Sequence, residues 1–297
     1  MFPTNDYVFH RIFGREGNEN ITKEFLNTIL SQKVERIRLD SNPIMMRDFS
    51  DDKESVLDVK AILDENGEKK ICNIEIQVKN EHNIKQRLPY YWARAYIEQL
   101  HKGEGYSKLC KTICILIADF ELEKDDPDFF SEYGILKKRS KLGDKLLTED
   151  LEMYIIELPK LKRKLKNEEK IDNEKLVSWL KFISNPNEME EKDMEEENMK
   201  DAIRILEDIN SNKYERDWAE RRLDWCRRRI DEKEWAKKEG HEEGRAEGLQ
   251  EGRIEGKREG NKEAKKEVAK KMLSKNISIE EIMEFTNLTK EEIEKLK

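Results

Sequence analysis

Asp58 and Glu75 are the two carboxylates whose placement could do chemistry. Each sits in a stretch of alternating polarity, VLDVKAIL (56–63) and ICNIEIQVK (71–79), and Asn66-Gly67 lies between them. Asn-Gly is the favoured central pair of a two-residue type I′ hairpin turn. With those two as the loop, Glu65 pairs with Glu68, Lys60 faces Asn73, and Asp58 lies directly across from Glu75. Side chains alternate across a sheet, so Leu57, Val59, Ala61 and Leu63 share a face with Cys72, Ile74, Ile76 and Val78. Asn73, Glu75, Gln77 and Lys79 then line the polar face, with Asp58 and Lys60 beside them. Opposed residues have Cβ atoms about 4.5–5.5 Å apart, where like charges destabilise a sheet. A bound divalent cation reverses that penalty, and oxygen ligands suit Mg²⁺ or Mn²⁺. An ordinary solvated sheet face fits the same alternation.

The elements around the hairpin are expected to position it. Residues 4–13 and about 20–31 read as helices, the second N-capped by Thr22 with Phe25, Leu26, Ile29 and Leu30 on a buried face. A third helix, about 87–102, stops at Gly103, and its aromatic residues pack it on the sheet. TICILIADF (112–120) reads as a strand buried on both faces and YIIEL (154–158) as another. The order predicts an α/β fold, a mixed central sheet flanked by helices.

Three stretches carry a resemblance to a known family: NDYVFHRIFG at the start, SVLDVKAILDENGEKKICNIEIQV in the middle, and RLPYYWARAYIEQLHKGEGYSKLCKTICILI after it. Together they resemble the PD-(D/E)XK restriction-endonuclease-like core, and more specifically the recombination-promoting nuclease (Rpn) family, the PD-(D/E)XK nuclease family transposases, over roughly residues 1–160. The resemblance implies a Mg²⁺-dependent DNA endonuclease, with Mn²⁺ as a possible substitute, acting in recombination or transposase-like reactions. It makes Asp58 and Glu75 the metal ligands and Asp6 a further acid near the site. Leu57 stands where the motif has proline, and Gln77 where it has lysine. An amide can orient water or bind metal through its oxygen, but it carries no positive charge. Lys79 and Lys60 are the lysines placed to replace that charge. Arg87, Tyr91 and Arg94, with Tyr90 and Gln99, match the family pattern, and the first three are expected to contact phosphate from one helical face.

The rest of the chain is of another kind. Charged residues make up 42% of its 297 positions, against roughly 25% in an average soluble protein. No proline follows Pro186, which marks a helical C-terminal region. The reading divides the chain into a nuclease domain (1–160), a charged helical region (161–236), a repeat helix (237–262) and a small terminal helical unit (263–297). In the repeat, Gly240, Gly244, Gly248, Gly252, Gly256 and Gly260 recur every fourth residue, a bare stripe that lets a second backbone approach. Self-association through this tail is therefore expected, a flexible charged linker being the alternative. Ser278 before Glu281 and Thr289 before Glu292 are capping-box patterns.

The net charge of −8 argues mildly against an extended DNA-gripping surface, although residues 221–271 carry 17 Lys/Arg against 13 Asp/Glu. The cysteines lack zinc-finger spacing and read as reduced thiols. No signal peptide or membrane span is read, so a cytoplasmic location is expected. The leading function is metal-dependent DNA cleavage. The competing one is a catalytically decayed nuclease fold acting as a DNA-binding or oligomeric interaction protein.

Overall fold

The computed structural model describes residues 1–40, 59–65, 67–78, 83–137 and 145–296. Two helices open the chain, α1 (Asp6–Phe13) and α2 (Glu19–Ile29). Asn5 caps α1 by accepting from the Val8 N–H. Thr22 does not cap α2: it lies one turn inside, buried, and its hydroxyl donates to the Phe13 carbonyl and so ties the two helices together. Phe9, Phe13, Phe25 and Trp179 form a chain of ring contacts with centroids 4.6–5.8 Å apart.

Six strands appear among the described residues: β1 (Arg36–Leu39), β2 (Val59–Glu65), β3 (Glu68–Gln77), β4 (Lys111–Ala118), β5 (Phe130–Tyr133) and β6 (Leu151–Glu157). Their order in the sheet is β1-β2-β3-β4-β6-β5. β3, β4 and β6 run parallel, while β1, β2 and the other edge strand β5 are antiparallel to their neighbours. This is the mixed α/β sheet expected from the strand pattern. The hairpin register is also the expected one, from Glu65↔Glu68 through Lys60↔Asn73 to Val59↔Ile74, with Gly67 at φ +83°. Asp58, Asn66 and Lys79 lie outside the described residues.

Helix α3 (Ile84–Ile97) covers one sheet face, burying Ile84 and Leu88 against Cys114, Leu116, Met153 and Ile155. The other face packs Val59, Ala61, Leu63, Cys72, Ile74 and Ile76 against α1 and α2. The same core takes in residues of α4 (Leu158–Lys166), α5 (Glu174–Ser184) and α6 (Glu197–Ser211), among them Leu161, Trp179, Phe182 and Met199. A compact unit spans Met1–Trp225 and a second spans Cys226–Lys297.

Helix α7 (Lys213–Leu273) begins in the first unit. Its opening turns hold α1: Glu215 accepts from Tyr7 Oη at 2.6 Å and from Arg11 at 2.6 and 3.0 Å, and the Ala219 carbonyl accepts from Asn5. In the second unit Ala269 of α7 packs with Ile282 of α8 (Ile279–Thr286) and Ile293 of α9 (Lys290–Glu294). Ser278 and Thr289 cap α8 and α9, and Thr289 with Glu292 completes a capping box. Among the described residues no helix is long and apolar enough to cross a membrane.

Two charge networks, one partly exposed and one buried, yield predictions. Burial raises the Glu215 carboxyl, but hydrogen bonds from Arg11 and Tyr7 outweigh it and hold the group below the usual carboxylate range. Glu215→Ala should cost about 1–3 kcal/mol at neutral pH, given the pair's partial exposure. Because the folded pKa is depressed, this contribution is present above the ordinary carboxylate pKa and fades as pH falls through the folded one. Urea denaturation at neutral and acid pH measures both. The second network joins Lys160, 0% exposed, to Glu157 and the Asp128 carbonyl, while Glu157 also accepts from the Leu122 and Glu123 N–H groups. Lys160→Met strands a buried carboxylate and should destabilise by about 3–5 kcal/mol in the same assay; a loss under about 1 kcal/mol would contradict this account.

Candidate active site

On β3 the hairpin's polar face is buried at Asn73 and Glu75. Glu75 is only 1% exposed and Asn73 is buried, because β3 lies inside the sheet and α3 covers that face. Strands in a parallel stretch are buried on both faces, so an acid at this position meets protein rather than water. Register rows run Asn73–Cys114–Met153, Glu75–Leu116–Ile155 and Gln77–Ala118–Glu157. Apart from Asn73, Glu75, Gln77 and Glu157, these rows are apolar or small.

A buried carboxylate is costly unless it is paired and hydrogen-bonded. Glu75 is both through one of its oxygens: Oε1 accepts from Gln77 Nε2 at 2.6 Å and from Arg87 Nη2 at 2.9 Å. Arg87 comes from the first turn of α3, and Tyr91, one turn on, fixes it. The Tyr91 hydroxyl oxygen accepts from Arg87 Nε at 3.1 Å and from Nη2 at 2.9 Å, with the guanidinium 5.3 Å from the ring centroid. The spacing of four that places both on one helical face was legible in the sequence.

The other expected site residues divide. Gln77 joins Glu75, two residues along the strand. Lys60 stands opposite Asn73 with an exposed side chain. Arg94 donates from Nε to Glu98 at 2.8 Å on an exposed part of α3. Asp6 accepts from Arg222 of α7 at 2.8 Å and from the Tyr7 N–H. Of the aromatic residues expected to pack α3, Trp92 and Tyr96 do, stacked 4.9 Å apart with Trp92 bonded to the Thr112 carbonyl. Tyr90 does not; it is 61% exposed. Gln99 ties the end of the helix region to Cys110 and Thr112.

The face offers hard oxygen donors. Beside the Glu75 carboxylate lies the Asn73 amide, whose Oδ1 is buried with no hydrogen-bond partner among the described residues. This position was missed as a site residue, although its signal, Asn73-x-Glu75-x-Gln77 at period two, was present in the alternation. A carboxylate and two amides suit a hard divalent cation in type, though among the described residues no three His, Cys, Asp or Glu side chains cluster as a metal site.

Comparison with known proteins identifies the family. The model of the PD-(D/E)XK nuclease family transposases matches residues 3–239. No curated protein and no solved structure matches the chain. The chain belongs to the PD-(D/E)XK nuclease family transposases and carries their α/β fold.

Proposed function

We propose that this member of a nuclease family is a Mg²⁺-dependent DNA endonuclease, with Mn²⁺ as a substitute ion, acting in recombination or transposase-like DNA processing. The observation that carries the reading is the hairpin register. It runs from Glu65↔Glu68 to Val59↔Ile74, which is the register in which the sequence alternation is expected to set Asp58 opposite Glu75. Asp58 and Glu75 are proposed to hold the ion, with Asp6 as a further acid and the Gln77 amide positioned beside Glu75. When bound, the cation supplies charge stabilisation at the scissile phosphate and favours deprotonation of a water. The chain's own part is to fix Glu75 before substrate arrives, and its hydrogen bonds from Gln77 and Arg87 support that role. Water adds to phosphorus, one P–O ester bond breaks, and the leaving oxygen takes a proton. Lys79, Lys60, Arg87, Tyr91 and Arg94 are the groups proposed for phosphate or charge contacts.

Incubation of plasmid with protein and Mg²⁺ tests this directly. Asp58→Ala and Glu75→Gln should each lower cleavage by about 10²-fold or more. If the unaltered chain cuts nothing in Mg²⁺ or Mn²⁺, the decayed-site reading takes its place.

The tail is proposed to self-associate. Around Gly240, Gly244, Gly248, Gly252, Gly256 and Gly260 an added Cβ would meet nothing within 4 Å in the single chain. On an isolated helix, Gly→Ala should therefore stabilise by about 0.5–1 kcal/mol per site. If the stripe seats a second copy, alanine at Gly244, Gly248 and Gly252 should instead shift sedimentation toward monomer. A monomeric wild-type chain, with helicity raised in the triple variant, would reject the proposal.

A further inference from the structure

We infer that Arg87 supplies the positive charge that Gln77 cannot, as counter-ion of Glu75 before a metal binds and as a clamp on the scissile phosphate afterwards. The inference rests on the nuclease reading above and assigns one residue within it.

Position gives the first argument. The Glu75 side chain is 2% exposed and that of Arg87, 2.9 Å from it, is 18% exposed, so the cation in contact with the buried acid is itself partly open to solvent. The second argument is orientation. Arg87 Nη2 donates to both Glu75 Oε1 and Tyr91 Oη, Nε donates to the same hydroxyl, and the ring lies beneath the guanidinium. A long side chain anchored in this way loses little entropy on meeting a phosphate.

Chemistry supplies the third. Gln77 contacts the same Glu75 oxygen but brings only an amide dipole. Arginine stays charged at any working pH and matches phosphate geometry with paired N–H donors. Of the other cations named for this charge, Lys79 lies outside the described residues, Lys60 is exposed on β2, and Arg94 pairs with Glu98 further along α3. Arg87 is the cation that the described geometry sets against the acid.

This dual role has a consequence that a packing role lacks. A guanidinium beside Glu75 repels an incoming dication, so its removal should tighten metal binding even as cleavage falls. Burial-driven structural support predicts the opposite, since loss of the partner would loosen Glu75 and weaken metal binding with stability.

The test uses the full chain and the variants Arg87→Gln, Arg87→Lys and Arg87→Ala, with thermal unfolding as the control for folding. Mn²⁺ affinity without DNA is read by calorimetry or by the electron-spin signal of free Mn²⁺. Single-turnover plasmid cleavage in Mg²⁺ gives the rate. For R87Q, Mn²⁺ binding should tighten about threefold or more, while the cleavage rate falls about 10²- to 10³-fold. R87K should keep an intermediate rate, and added guanidinium ion should restore part of the R87A rate. Cleavage by R87Q within about threefold of the wild-type rate overturns the inference alone, since one lost transition-state contact costs far more. So does weakened Mn²⁺ binding that tracks a lowered unfolding temperature. A wild-type chain that binds no Mn²⁺ and cuts no DNA overturns the nuclease reading, and this inference with it.

Discussion

A carboxylate placed inside a sheet cannot be left alone, and much of this fold follows from satisfying Glu75. Removing an ion from water costs several kcal/mol even after relaxation, so the charge persists only with a cation and hydrogen bonds at hand. That requirement fixes the approach of α3: Arg87 must reach the acid while Ile84 and Leu88 fill the sheet face beside it. It also gives Tyr91 the task of holding that arginine, while the neighbouring Trp92 and Tyr96 stack on each other and donate to the Thr112 carbonyl and Asp150. The site is thus held in place by the demands of burial before any ligand enters.

The first helix is governed from the far end of the domain. Its polar side meets Glu215, Ala219 and Arg222, spaced four and three along α7, so one face of the later helix is the counterpart of one face of α1. Asp6 is paired to Arg222 within this contact. The start of the long charged helix is therefore part of the nuclease unit, and the family match running on to residue 239 agrees with that.

The hairpin was the most legible part of the sequence, because side-chain alternation and an Asn-Gly turn specify register almost without tertiary information. Local rules failed where another element decides the outcome. Alternation marks Asn73, Glu75 and Gln77 as sharing a face, but it cannot say that a helix will cover that face. Thr22 has the chemistry of a cap, yet its hydroxyl serves a carbonyl nine residues earlier. The short edge strands β1 and β5 have too few residues to show a period, and they exist because longer neighbours offer them hydrogen bonds. Helices α5 and α6 give core residues such as Trp179 and Met199 despite a highly charged setting, since burial depends on one stripe of each helix and not on mean composition.

The glycine repeat poses the remaining physical problem. Each glycine costs about 1 kcal/mol in a helix interior, and every one of the six is preceded by a glutamate, so like charges also recur at the unfavourable spacing of four. Yet α7 is continuous through the whole stretch. Helix formation is cooperative, and its expensive step is nucleation. Here both ends are nucleated by packing: the first turns on α1, and the last around Ala269 with Ile282, Leu288 and Ile293. Along the glycine repeat the described side chains are exposed, Leu249 and Ile254 among them. Nucleated ends lower the cost of starting a helix but not the cost of each interior glycine, so a sequence under no other constraint would gain by replacing them. A bare stripe repeated six times is explained most simply if something in the assembled protein occupies it.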